Sequence, residues 1–216
     1  MKRNKSIFLV LIYLIIGGLI FFKFQFLPKT NNSEPITQTD FQPTLPDSTE
    51  SLKTSSLAEP VANFKARVTK KPFGIYSTPQ NSPIQPERFT GYHTGADAEY
   101  EDAKTDVPVF AVNDGKITFS QYASGYGGVF ILETEMNEKK HSVLYGHIRP
   151  ASLPRVGTTF SKGQQIALLG TGYSNETNGE RRHLHFAILT DTRLDIKGYV
   201  SKKADLSGWI NPLSLY

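Results

Sequence analysis

The sequence predicts an antiparallel all-β domain preceded by one transmembrane helix and a disordered linker. Three observations predict it. From residue 64 onward the chain breaks into short apolar runs separated by Gly, Pro, Asn and Asp. No stretch in that region carries a helical apolar period of convincing length. The single long apolar block lies at the N-terminus. With 216 residues, 38% of them hydrophobic and 12% aromatic, the chain can build one domain of ordinary size with appendages.

In order along the chain, residues 7–22, IFLVLIYLIIGGLIFF, are uncharged, and the apolar character runs on past Lys23 to Leu27. The 21 residues from 7 to 27 would reach about 31 Å as a helix, enough to cross a bilayer core. Lys2, Arg3 and Lys5 precede the span, so the positive-inside rule leaves residues 1–27 as a cytoplasmic N-terminus and anchor and exports the chain beyond Leu27. A cleaved signal peptide would have a shorter apolar core and small residues at a cleavage site, and FQFLPKTNN offers no such site. The expected location is the cell membrane, single-pass, with the folded domain outside the cytoplasm.

Residues 28–63 hold five prolines and eleven Ser/Thr in 36 positions, the composition of a disordered linker. Extended, it would reach about 120 Å. The domain is expected to fill residues 64–216, with strands at VPVFAV (107–112), GKITFSQ (115–121), GVFILET (128–134), HSVLYGH (141–147), QQIALLG (164–170) and HLHFAIL (183–189). NDG at 113–115 suits a tight hairpin, and the glycines of SGYGG at 124–128 suit another. No helix-opening pattern follows that glycine cluster, so it is not a phosphate loop.

The formal charge is +4, but four of the bases lie in the first 27 residues, which contain no acid. Without them, 20 basic residues face 20 acidic ones. A neutral remainder argues against nucleic acid as a partner. The chain has no cysteine, which excludes disulfides, thiolate zinc sites and a cysteine nucleophile.

All five histidines lie beyond residue 92. In RRHLHFAIL, His183 and His185 are one residue apart on a predicted strand, so both rings point to one face. One can ligate a metal while the other handles protons. His93 and Asp97, in GYHTGAD, with one of the HLH pair would supply the three protein ligands of a catalytic zinc and leave a fourth position open. His147, in LYGHI, and the remaining HLH histidine would then serve proton transfer and oxyanion stabilisation. Gly95 suggests that HTGAD bends rather than forms a helical face.

His93-Thr-Gly-Ala-Asp97, Tyr145-Gly-His147 and His183-Leu-His185-Phe, in that order, resemble the motifs of the lysostaphin-type zinc metalloendopeptidases, which cut peptide bonds in bacterial peptidoglycan. The likeness covers roughly residues 89–189 and extends to PVFAVNDGKI, YGGVFIL and VGTTFSKGQQIALLG. The resemblance implies a two-sheet domain of the duplicated hybrid motif type and one zinc ion held by His93, Asp97 and His185. It also implies a catalytic pair of His147 and His183, and peptidoglycan peptides as substrate. The glutamate base of helical HExxH zincins has no counterpart.

The chain departs from the family pattern around these motifs. AEYEDAKTD (98–106) reads as an acidic inserted loop bordering the groove. Arg182 stands where proline is usual, preceded by Arg181; the pair reads either as a contact for wall-peptide carboxylates or as a solvated basic turn. Strand parity places His141 on the face of His147, although it matches no motif position. Trp209 in WINPL reads as a packing element. Residues 64–88 either cover the groove or pad the sheet. Two other readings compete: a non-catalytic envelope module that binds wall peptides or activates another hydrolase, and a biotinyl- or lipoyl-type carrier. The carrier would need a Met-Lys-Met-like tip that the chain lacks.

Overall fold

The computed structural model describes residues 57–216; the predicted span at 7–27 and the linker up to residue 56 lie outside the described residues. No described helix is long and apolar enough to cross a membrane. The described part is mostly antiparallel β-structure, with one helical turn at Phe64–Arg67 and short 3-10 turns.

In chain order the strands are β1 (Tyr76–Ser77), β2 (Gly91–His93), β3 (Ala96–Glu99), β4 (Pro108–Phe110), β5 (Gly115–Ala123), β6 (Gly127–Met136), β7 (Lys139–Ile148), β8 (Thr159–Phe160), β9 (Gln165–Leu168), β10 (His183–Leu189), β11 (Tyr199–Val200) and β12 (Trp209–Ile210). The main sheet runs β12-β10-β7-β6-β5-β8, and β3 shares an edge of β10 with β12. Separate small sheets are β1-β2-β11 and β4-β9. The six strands expected from sequence all form.

Period-two patterning divides the main sheet into two faces. On one, Ile117, Phe130, Leu132, Val143, Tyr145, Leu184, Phe186 and Ile188 are buried in the larger core. Phe130 stacks on Tyr145 with ring centroids 4.6 Å apart, and Phe186 meets Tyr145 edge-on at 5.3 Å. The Tyr145 hydroxyl accepts a hydrogen bond from the Val112 amide at 3.1 Å, so this core tyrosine leaves no buried oxygen unpaired. On the other face Val129, Ile131, Leu144, Ala187 and Leu189 pack with Trp209, which is a packing element as its sequence suggested.

Three expectations need correction. The domain begins before residue 64: Val61 is fully buried with Phe64, and Phe110 donates its amide to the Pro60 carbonyl, so residues 57–63 belong to the packed unit. NDG does not make a hairpin, because β4 pairs with β9 while β5 pairs with β6 and β8; it joins two sheets instead. The acidic stretch 98–106 is not wholly a loop, since Ala98 and Glu99 are buried residues of β3. SGYGG does turn between β5 and β6, with Gly125 and Gly127 at φ +86° and +75°. Residues 64–88 mainly pad the sheets: Phe64 is in the core, and β1 pairs with β2.

Candidate metal centre

β10 is the backbone of the site. His183 and His185 lie on one face of it, both buried, as the period of two requires. Its antiparallel partner β3 sets Glu99 opposite His183 and Asp97 opposite His185. Alternation in Ala-Asp-Ala-Glu therefore sends Ala96 and Ala98 into the core and both carboxylates to the histidine side. Gly95 makes the bend that carries the chain from β2 in one sheet to β3 in another. A Cβ there would stand 2.6 Å from the Phe186 carbonyl and 2.9 Å from the His185 ring, so only glycine leaves room for that ring.

His93 ends β2, and its Nδ1–H donates to the Pro72 carbonyl at 3.2 Å. A carbonyl can only accept, so this bond places the proton on Nδ1 and leaves a lone pair on Nε2. That Nε2 lies 3.2 Å from Asp97 Oδ1 and 3.0 Å from His185 Nδ1, and the latter two are 3.0 Å apart. Three donor atoms thus form a nearly equilateral triangle of buried side chains. They could hold a metal ion.

His147 reaches the site by breaking the strand rule. Gly146 is paired with His185 and Tyr145 with Phe186, so regular pleating would turn His147 to the core face with Tyr145. Instead His147 takes φ +61°, a left-handed conformation rare outside glycine, and its ring lies 4.1 Å from that of His183, centroid to centroid. The parity that put His141 on the face of His147 therefore fails. His141 is structural, donating Nδ1–H to the Leu189 carbonyl at 2.8 Å.

The electrostatics derive from burial. Burial alone would raise the Asp97 carboxyl, but His93 and His183 beside it and a hydrogen bond from His185 hold it well below the usual carboxylate range. Burial depresses the histidines: His147 to about 3, His183 well below its usual range with Arg181 adding to the effect, and His185 in the same direction. Burial thus keeps His147, His183 and His185 neutral beside an anionic Asp97, a charge state that suits a bound cation.

The sequence reading missed Tyr126, Glu99 and the true role of both arginines. Tyr126 lies between His147 and His185, with ring centroids 5.3 and 5.5 Å away, and a Cβ on Gly146 would come within 2.5 Å of its ring. The only local signal was the glycine cluster around it, which a hairpin explains equally well. Arg181 is buried and bonded to Asp97 and Glu99, while Arg182 donates to the Ala103 and Thr105 carbonyls. Neither is a solvated turn residue. The donor triangle, His147, His183, Tyr126 and Arg181 open onto a cleft of about 410 Å³, also lined by Phe89, Glu180 and Tyr199.

The sequence profile described as Peptidase family M23 matches residues 91–196, a range that contains all five of the residues singled out above. Residues 91–196 are a peptidase family M23 domain. Among solved structures this M23 chain is similar to LytU, at 26% identity and a TM-score of 0.43, covering 68% of this chain and 81% of that one. It is similar also to a chain of the SpoIIQ-SpoIIIAH pore forming complex, at 21% identity and a TM-score of 0.47, covering 74% and 90%. For Helicobacter pylori Csd3 the values are 23% and 0.41; the M23 chain described here matches over 68% of its length but spans only 35% of that protein. A search of curated proteins returned no match.

Proposed function

We propose that the protein is a membrane-anchored zinc endopeptidase that hydrolyses a peptide bond in the stem or cross-link of peptidoglycan. The observation that carries this reading is the convergence of His93, Asp97 and His185 into one donor triangle beside two further neutral histidines, in a chain of a peptidase family. Donors around a tetrahedral zinc at about 2.0–2.1 Å lie roughly 3.3–3.4 Å from one another. The three here stand 3.0–3.2 Å apart, a close fit, and the donor set is one that zinc accepts.

Zinc, when bound, supplies a Lewis acid for the scissile carbonyl and makes its water a nucleophile near neutral pH. The protein's own part is proton handling. His183 donates Nδ1–H to the Arg181 carbonyl at 2.9 Å, which leaves its Nε2 lone pair turned into the site, 3.3 Å from Asp97 Oδ2. Burial keeps that nitrogen unprotonated at neutral pH, so His183 is the base that takes the proton of the attacking water. His147, its ring tilted against that of His183 and also neutral, shares the proton's passage to the leaving amine and hydrogen-bonds the developing oxyanion. His147 and His183 beside the donor triangle support hydrolysis over a non-catalytic binding module.

The test is mass spectrometry of fragments released from defined peptidoglycans by the zinc-loaded protein. New peptide termini are expected, and the fragment masses identify the bond. Intact peptides after long incubation, with zinc bound, would favour the binding module.

The anchor at 1–27 and the linker after it are proposed on composition alone. Lys2, Arg3 and Lys5 ahead of the span place the N-terminus inside. Protease added outside spheroplasts should then degrade the domain. Protection until lysis would overturn the topology.

A further inference from the structure

Arg181 is 2% exposed and makes three hydrogen bonds of 2.8 Å: Nε to Glu99 Oε2, Nη2 to Glu99 Oε1, and Nη2 to Asp97 Oδ2. Its backbone carbonyl holds the Nδ1–H of His183. One residue therefore grips the shared carboxylate through its side chain and the proposed base through its main chain.

A buried ion triad is a poor source of stability, since well-packed apolar groups often do as well. What it provides is direction. The terminal torsion of an aspartate is soft and roughly two-fold, so a carboxylate fastened at one oxygen only is free to swing. Fastening Oδ2 to a planar guanidinium, itself locked by the bidentate grip on Glu99, leaves Oδ1 facing His93 Nε2 and His185 Nδ1.

We propose that Arg181 is a positioning residue for the metal centre, holding Asp97 Oδ2 so that Oδ1 stays a metal donor, with Glu99 as its brace. The proposal rests on the zinc reading above. Arg182 is the control, because its side chain hydrogen-bonds only backbone carbonyls of the 103–105 segment.

The experiment uses the full chain in mild detergent, with Arg181→Lys, Glu99→Gln and Arg182→Lys beside the wild type. Zinc affinity is read by competition with a chromogenic chelator, the cobalt-substituted visible spectrum reports ligand geometry, and far-UV circular dichroism reports folding. Lysine keeps the charge but has no planar fork, so Arg181→Lys should weaken zinc about 10- to 100-fold and alter the cobalt spectrum, the scale seen when partners of metal ligands are removed. Glu99→Gln should act in the same direction, severalfold, and Arg182→Lys should change neither readout. Zinc affinity within about threefold of wild type and an unchanged cobalt spectrum, in whichever of Arg181→Lys and Glu99→Gln is folded, would overturn the proposal. A wild type that binds no zinc would instead overturn the metal reading on which it stands.

Discussion

His185→Ala is expected to lose both metal and hydrolysis, while His183→Ala and His147→Ala keep the metal and lose only hydrolysis. In the structure His185 Nδ1 is one corner of the donor triangle, 3.0 Å from both of its neighbours. Deleting it leaves His93 Nε2 and Asp97 Oδ1, and two donors do not make a closed zinc site. His183 sits on the same strand face two residues away, but its Nε2 faces Asp97 Oδ2, the oxygen outside the triangle. Its removal leaves all three donors in place. Turnover should fall about 100-fold or more in His183→Ala and in His147→Ala, the scale for removing a proton-transfer or oxyanion group. A modest drop in zinc affinity in His183→Ala is compatible with this, because it neighbours a ligand. Metal content and fragment release are measured on the same preparations. If His183→Ala loses zinc and His185→Ala keeps it, the roles within HLH are reversed. Wild-type hydrolysis in all three would end the zinc-peptidase reading.

The parts of the fold that were legible in the sequence are those where one strand carries its own pattern. HLHFAIL matches β10 from end to end, and β5, β6 and β7 are each nine or ten residues long, enough for a period to show. β1, β2, β8, β11 and β12 have two or three residues, too few for any period; β8 and β12 form on the edges of the longer β5 and β10, and β1, β2 and β11 pair only with one another. β3 was hidden for a different reason: in Ala-Asp-Ala-Glu the polar face looks solvent-bound, and only the arrival of Arg181 from 82 positions away makes a buried Glu99 tolerable. The site was legible where chemistry restricts the residue type, as at His93, Asp97 and the HLH pair. It was not legible where backbone conformation decides. Nothing local announces that His147 takes φ +61° and leaves the face its position assigns, or that Asn137 and Glu138, at φ 51° and 61°, form the β6–β7 turn without a glycine.

The metal-free protein, prepared with a chelator, is expected to lose stability steeply as the pH falls from about 6.5 toward 4. The sign is set by where the protons go. His147 titrates near 6.5 when unfolded and is pushed to about 3 by burial in the folded state, with His183 and His185 displaced in the same direction. Between those limits the unfolded chain binds more protons, so stability rises with pH and is lost on acidification. At about 1.4 kcal/mol per unit, the displacement of His147 from 6.5 to about 3 alone amounts to about 5 kcal/mol. A domain's whole margin is about 5–15 kcal/mol, so this is a large share of it. Asp97 does not produce the same window: its depressed carboxyl contributes stability above its unfolded value near 3.9 and loses it only at lower pH. Urea midpoints at steps from pH 7.5 to 4.5 measure the effect, and His147→Gln, which cannot titrate, should flatten the slope. Zinc should raise the midpoint at pH 7.5 by mass action, and that gain should fade on acidification as protons compete with the metal for its donors. A midpoint that stays constant down to pH 4.5 in the metal-free wild type would show that these histidines are not held neutral by burial, and would remove the physical basis for His183 as the base.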